Sequence, residues 1–162
     1  MRITVTSIRI IVGLLLVSTI GAYAAEPPKG FRSLQWGGAP SGGMRPVGPS
    51  SDDLTVYVPA SGISLPPLFG IPVADESYSF SKGKFYSGSV WLDGQENLEK
   101  MKAALMKAYG SPSLVNEKLY LWKWKWPGSG IEVDLYFQPK DTRTTVTFLN
   151  DAISGAVAPP GK

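Results

Sequence analysis

The last third of the chain contains three stretches in which apolar and polar residues alternate, and this pattern constrains the fold more than any other. The stretches are Tyr120–Trp126, Ile131–Phe137 and Arg143–Leu149, and a short turn separates each from the next. Alternation with a period of two is typical of strands that bury one face. The three stretches therefore predict an antiparallel meander with one apolar and one polar face.

The register of this meander satisfies two patterns at once. Pairing the first two strands across a four-residue turn sets tryptophans opposite aliphatic residues and lysines opposite acids: Trp126 with Ile131, Trp124 with Val133, Trp122 with Leu135, Lys125 with Glu132 and Lys123 with Asp134. A one-residue slip would move every side chain to the other face and destroy both patterns. Pairing across the next turn adds Thr144, Val146 and Phe148 to the apolar face.

An amphipathic helix is predicted over about 95–109. Leu98, Met101, Leu105 and Tyr109 recur at helical spacing. The glycine and proline at positions 110 and 112 end the pattern.

The first half of the chain predicts shorter strands. A short edge strand is expected around Phe31–Trp36 and a second strand over Leu54–Val58. A hairpin follows, with a three-residue loop at Ser81–Gly83 that places five apolar residues on one face: Tyr78, Phe80, Tyr86, Val90 and Leu92. A two-residue loop is the alternative, and it would group Phe80, Phe85 and Trp91 instead.

These elements predict an α+β fold with two layers. An antiparallel sheet of about five or six strands would carry the one amphipathic helix on its apolar face and leave the other face in water. We expect residues 25–151 to form a single domain and residues 152–162 to be a disordered tail.

Residues 1–24 have the three-part pattern of a cleavable export signal. A basic start is followed by an apolar stretch from Ile10 and by the cleavage pattern Ala22-Tyr23-Ala24. We expect a cut after Ala24, with a cut after Ala25 as the second choice. An uncleaved anchor is the alternative, although this apolar stretch is shorter than the ~20 residues of a spanning helix. The rest of the chain is expected to be periplasmic or secreted, and it would touch a membrane only through an uncleaved signal segment.

Composition excludes several function classes. The chain has no cysteine and no histidine, so it has no Ser-His-acid or Cys-His machinery and no zinc site of ordinary composition. Without the two arginines of the signal segment, 14 basic residues face 13 acidic ones, a formal charge of +1. This balance does not suggest nucleic-acid binding. No feature indicates a cofactor or a metal.

Paired carboxylates, as in glycoside hydrolysis, are the catalytic chemistry that the composition favours most among those left open. The candidates are Asp52, Asp53, Asp75, Glu76, Asp93 and Glu96. Neighbouring acids on a strand or loop usually point apart, and the last two are explained by capping of the predicted helix. A Ser–Lys dyad is the less favoured alternative, because it has many possible members and no motif. The sequence assigns no catalytic residue.

The tryptophans of the first meander strand have two readings. Spaced aromatic residues can form a stacking platform for sugars or bases. The favoured interpretation is that Trp122 and Trp124 belong to the core, while Trp126, nearest the turn, stays partly exposed. The charged face of the same strands is interpreted as a solvated surface whose ion pairs protect the register.

Residues 59–75 contain four prolines and two glycines, yet Leu68 and Phe69 are too apolar for a solvated linker. We interpret the segment as an ordered loop whose apolar residues need a cover. The leading hypothesis is a non-enzymatic binding or assembly module that contacts a protein or glycan of the cell envelope through Leu68, Phe69 and Trp126. A carboxylate-dependent hydrolase of envelope glycans and a domain that binds a small apolar ligand are the alternatives.

Three segments, Gly30–Gly37, Tyr78–Tyr86 and Leu105–Pro112, carry a resemblance. Together they resemble a group of uncharacterised, small exported bacterial proteins, in which a Phe…Trp-Gly opening leads to a hairpin and to a helix that ends in Tyr-Gly-x-Pro. The resemblance spans most of the chain after the signal segment. It implies a periplasmic bacterial protein and carries no activity and no site residues.

Overall fold

A computed structural model describes residues 25–48 and 53–154. The export signal predicted over 1–24 lies outside the described residues. Of the predicted tail, residues 152–154 belong to a short helix, and residues 155–162 are outside the described range.

Ten strands and two α-helices make up the described chain. The strands are β1 Gly30–Phe31, β2 Leu34–Gln35, β3 Met44–Val47, β4 Leu54–Pro59, β5 Asp75–Ser81, β6 Lys84–Asp93, β7 Leu114–Asn116, β8 Leu121–Trp126, β9 Ile131–Gln138 and β10 Arg143–Asn150. The helices are α1 Gln95–Tyr109 and α2 Asp151–Ser154. Two short 3-10 turns, Glu117–Leu119 and Pro139–Asp141, connect neighbouring strands.

The predicted α+β class is wrong, because the fold is mainly β. Eight strands form one antiparallel sheet in the order β3-β4-β5-β6-β10-β9-β8-β7, and β1 and β2 form a separate hairpin. The prediction of five or six strands missed the two edges of the sheet. β3 lies among glycines and contains Pro46, and β7 has only three residues, so neither gives a clear alternating pattern. Among the described residues, α1 is the one helix longer than a single turn.

The C-terminal meander has the predicted register throughout. Trp126 pairs with Ile131, Trp124 with Val133 and Trp122 with Leu135, and β10 pairs with β9 so that Val146 lies opposite Leu135. Helix α1 also has its predicted bounds. Apolar packing and charge pairing each require this register, which explains why the sequence defines it well.

The predicted loop of the β5–β6 hairpin is wrong. Ser81 pairs with Lys84 and Phe80 with Phe85, so the loop has two residues, Lys82 and Gly83. Both have positive φ, 49° and 74°, as a type I′ turn requires, and this turn matches the twist of the flanking strands.

A bulge in β6 explains the rest of the error. Ser79 pairs with Ser87, so Tyr86 has no partner in β5. The extra residue reverses the alternation along β6. Phe85 before the bulge and Val90 after it therefore both face the core, whereas Tyr86 is only partly buried.

The core lies on one face of the large sheet, beneath α1, the β1–β2 hairpin and the loop at 60–74. Leu98, Met101 and Leu105 of α1 are each at most 2% exposed. Phe31 of β1 packs so closely on β6 that a Cβ atom at Gly88 would lie 2.2 Å from its ring. The edge strand predicted over Phe31–Trp36 is in fact two short strands, because the chain reverses at Arg32 (φ 56°).

Candidate functional site

Phe69 lies at the tip of a tight turn in the loop that follows β4. Leu68 and Ile71 exchange both backbone hydrogen bonds, with N···O distances of 3.0 and 2.9 Å. The two residues between them have positive φ, 51° for Phe69 and 79° for Gly70. Because Ile71 is buried against the core, the turn is anchored there and projects the Phe69 ring outward, with 44% of the residue exposed.

Tyr109 joins Phe69 to Trp126. The ring centroids of Phe69 and Tyr109 are 6.4 Å apart at an interplanar angle of 82°, and those of Tyr109 and Trp126 are 5.4 Å apart at 87°. Both are edge-to-face contacts, the geometry that aromatic pairs prefer. We call Phe69, Tyr109 and Trp126 the aromatic cluster. It combines the loop, the last residue of α1 and the last residue of β8.

A hydrogen bond holds Trp126, the innermost member of the aromatic cluster, in place. Trp126 Nε1 donates to the carbonyl oxygen of Ala25 at 2.6 Å, so the start of the described chain runs beside this ring. Burial raises the pKa of the Tyr109 hydroxyl, and the group is therefore neutral at physiological pH. Neither ring presents an ionised group.

A recess of about 390 Å³ adjoins the aromatic cluster. It is lined by Phe69 and by Ala104, Lys107 and Ala108 of α1. The two alanines are one helical turn apart on the same face of α1, and their small side chains leave space for the recess. The lysine adds one positive charge at the rim. The site is thus an apolar groove between an exposed phenylalanine and the end of a helix.

The structure brings together two of the three predicted site residues. Phe69 and Trp126 belong to one cluster, whereas Leu68 turns inward and packs against the core. The sequence prediction missed Tyr109 as the link between them. Its position in the helical pattern indicated an inward face, but the fact that a distant loop meets the end of α1 depends on the tertiary fold.

The remaining tryptophans of β8 are structural, as the favoured interpretation predicted. Trp122 and Trp124 are 7% and 2% exposed. Trp124 Nε1 donates to the carbonyl of Gly110 at 2.8 Å, and Lys102 covers the ring of Trp122 at 5.0 Å. Trp126 is partly buried, which agrees with its predicted place at the end of the row.

The charged ladder on the opposite face forms ion pairs. Lys123 Nζ lies 2.7 Å from Asp134, and Lys125 Nζ lies 2.5 Å from Glu132. Burial raises the pKa of Asp134 and outweighs the attraction of the lysine. Burial alone would lower the pKa of Lys123, but its hydrogen bond to Asp134 and the nearby negative charges raise it. The two side chains form one ion pair on this face.

The candidate carboxylates are separated and have structural partners. Asp75 and Glu76 face opposite sides of β5: the first is exposed, and the second is 3% exposed and bound by Arg32. Asp53 lies 3.9 Å from Lys82, and Asp93 lies 3.5 Å from Arg143.

Glu96 lies in the first turn of α1, as predicted, but Gly94 is the residue before the helix and no side-chain hydrogen bond caps its start. Asp52 is outside the described residues. Within residues 25–48 and 53–154, no group of three or more carboxylates is placed to hold a metal ion.

Comparison with known proteins gives no relative: no family profile, curated protein or solved structure matches the chain. In the part of the chain that the structure describes, no helix is long and apolar enough to cross a membrane.

Proposed function

We propose that the chain works in the periplasm or outside the cell as a non-enzymatic binding or assembly module. Its partner is a protein of the cell envelope, which inserts an apolar side chain into the groove beside the aromatic cluster. The export pattern of residues 1–24 supports the location. The exposed ring of Phe69 in a strained turn supports the binding role.

The conformation of Phe69 carries this proposal. Left-handed backbone costs a residue with a Cβ roughly 1–2 kcal/mol, and the ring that this backbone presents is 44% exposed. A glycine or asparagine would adopt the same turn with less strain. Strain that a fold retains at an exposed aromatic residue is a reason to infer a function for that residue.

The surroundings of Phe69 favour a protein partner. Tyr109, which packs in turn on Trp126, contacts the exposed ring from one side, so little side-chain entropy is lost on binding. Exposed aromatic residues beside a recess are typical of the anchor points of protein interfaces. Lys107 at the rim would favour a partner with an acidic residue next to its apolar anchor.

The two alternatives have less support. A hydrolase needs two free carboxyl groups at one cleft, whereas the described candidates lie in separate ion pairs, on opposite faces of a strand or, for Glu96, in the first turn of α1. A small apolar ligand between helix and sheet would need space there. That space is filled by Met101 and Leu105, both fully buried.

Site-specific photo-crosslinking in cells tests the proposal. A photoreactive phenylalanine analogue replaces Phe69 in the full chain, in the cells that naturally make the protein. The matched control places the analogue at Ile63, which is 49% exposed in the same loop but lines a different recess. We expect position 69 to cross-link to one envelope protein and position 63 not to do so.

The captured protein is then purified, and its affinity for the chain is measured. Phe69→Asp should weaken binding by at least about a hundredfold, the loss typical of a central anchor. Ile63→Asp should leave binding unchanged. Equal binding by the Phe69→Asp variant, or identical cross-links from both positions, would refute this site.

A further inference from the structure

The outer face of the large sheet carries a second set of aromatic residues, opposite to the core. Trp91 of β6 and Tyr136 of β9 point to this face, because the residues on either side of each are buried on the other. Tyr136 is 41% exposed, and Trp91 is partly exposed. Among the described elements, α1 and the β1–β2 hairpin pack on the core side, so neither lies over these two rings.

The register places the two rings in one row. Trp91 pairs with Thr145 of β10, and Thr145 pairs with Tyr136. Directly opposed residues share a face. Since adjacent strands are ~4.8 Å apart, the two aromatic residues are separated by roughly 9–10 Å across the sheet, with a small side chain between them. Because the side chain between them is small, the two aromatic rings can both contact a ligand that lies across the strands and contains a series of flat rings.

Hydrogen-bonding side chains border the aromatic row on both sides. Two residues further along the strands, Ser89 and Thr147 have their hydroxyl oxygens 3.0 Å apart, and Asp134 continues this row. On the other side, Arg143 lies between Asp93 and Gln138 in register. Rings along the middle and polar groups at both borders match a ligand with apolar ring faces and hydroxyl groups at its edges.

Most charges near the aromatic row lie in ion pairs. Lys123 and Lys125 bind Asp134 and Glu132, and Arg143 binds Asp93. Asp75, exposed and opposite Trp91 in register, adds one carboxylate outside these pairs. Paired charges produce little field at a distance, and the carboxylate of Asp75 disfavours a polyanion beside the rings. The exposed rings and hydroxyls remain available, and they complement an uncharged partner rich in hydroxyl groups.

We infer that the outer sheet face binds an extended, uncharged glycan of β-linked pyranose units. The chain lies across β6, β10 and β9, and two of its rings stack on Trp91 and Tyr136. Alternate rings of an extended β-1,4-linked chain present the same face at a comparable spacing, and exposed aromatic side chains stack on ring faces. This site is separate from the aromatic cluster and does not depend on the function proposed for it.

Calorimetric titration of the purified full chain with defined hexasaccharides tests this inference. The probes are cellohexaose and chitohexaose, both β-1,4-linked, and maltohexaose, which is α-linked and curved. We expect at least one β-linked probe to bind with a millimolar or lower dissociation constant, and maltohexaose to bind at least tenfold more weakly. The absence of binding by both β-linked probes, or equal binding of maltohexaose, would overturn the assignment.

Variants locate the glycan on the sheet. Trp91→Ala and Tyr136→Ala should each weaken binding about tenfold or more, the effect of losing one stacked ring, whereas Tyr136→Phe keeps the ring and should retain binding. Thr145→Lys fills the gap between the rings and should block binding. This variant tests the platform without removing a ring, so the test does not depend on the stability of Trp91→Ala. Phe69→Asp should bind the glycan normally. Unaltered binding by Tyr136→Ala and Thr145→Lys would refute the platform.

Discussion

Arg32 donates through both Nε and Nη2 to a single carboxylate oxygen of Glu76, at 3.1 and 2.9 Å. The side chain of Glu76 is 4% exposed, and its other oxygen accepts from the Tyr78 hydroxyl at 2.5 Å. Arg32 also donates to the carbonyl groups of Pro66 and Pro67. One guanidinium therefore ties the N-terminal hairpin, the proline-rich loop and β5 together, and this loop is the one that presents Phe69.

Removal of Arg32 should destabilise the fold strongly. Arg32→Ala leaves the Glu76 charge buried without a partner, and this typically costs about 3–5 kcal/mol. Urea unfolding measures the loss, with Arg143→Ala as the control, because that exposed pair should contribute at most about 1 kcal/mol. The double variant Arg32→Ala/Glu76→Leu should regain much of the loss. Equal effects of the two arginine substitutions would contradict the structural role of Arg32.

Alkaline pH should destabilise the protein through Tyr78. Burial, the hydrogen bond to Glu76 and the charge of Glu76 raise the pKa of Tyr78. Stability from its neutral hydroxyl is complete below the unfolded pKa of about 10 and is lost as the pH rises toward the higher folded pKa. The free energy of unfolding should fall above pH 10 by up to about 1.4 kcal/mol per pH unit for this group. Urea unfolding from pH 8 to 11 should show a smaller fall for Tyr78→Phe, and an identical fall would disprove the assignment.

Replacement of one buried hydroxyl should stabilise the sheet. Thr144 is 0% exposed, and its Oγ1 has no hydrogen-bond partner. A buried hydroxyl without a partner costs roughly 1–3 kcal/mol, so the isosteric Thr144→Val should raise the free energy of unfolding by about 1 kcal/mol. Thr147→Val is the matched control on the same strand, because Thr147 has a partner in Ser89. Thermal unfolding should show a higher midpoint for the first variant only.

Phe69→Asn should separate stability from binding. Asparagine tolerates left-handed backbone, so the relieved strain should offset the lost contact with Tyr109, and the free energy of unfolding should change by less than about 1 kcal/mol. The affinity for the captured envelope protein should fall by about a hundredfold in the same variant, as in Phe69→Asp. Ile71→Asn, which alters the buried end of the same turn, should instead lose more than about 2 kcal/mol. A large loss of stability in Phe69→Asn would make Phe69 a structural residue.

The part of the fold that sequence patterns could predict is the part where independent patterns agree. In the C-terminal meander, alternation and charge pairing select one register, and α1 has a regular apolar spacing. In the β5–β6 hairpin, no charge pairing supports the alternation, and the unpaired Tyr86 reverses it. The edge strands β3 and β7 bury too little to leave a pattern, which is why the fold class was predicted wrongly.

The candidate site was predictable to a similar extent. Phe69 and Trp126 could be selected because each is apolar beside a turn or loop. Their connection through Tyr109 depends on where the loop lies relative to α1, and local sequence does not encode that distance. The pairing of Arg32 with Glu76 could not be predicted from local sequence either, because the two residues are 44 positions apart and meet only in the tertiary fold.

The strand that comes last along the described chain occupies a central place in the sheet. β10 lies between β6 and β9, so the two halves of the sheet remain unconnected, each with an open edge, until residues 143–150 are available. Contacts between such distant segments form slowly, because a long loop must close first. A truncation before residue 143 would therefore leave two half-sheets whose open edges, β6 and β9, are free to pair with another chain.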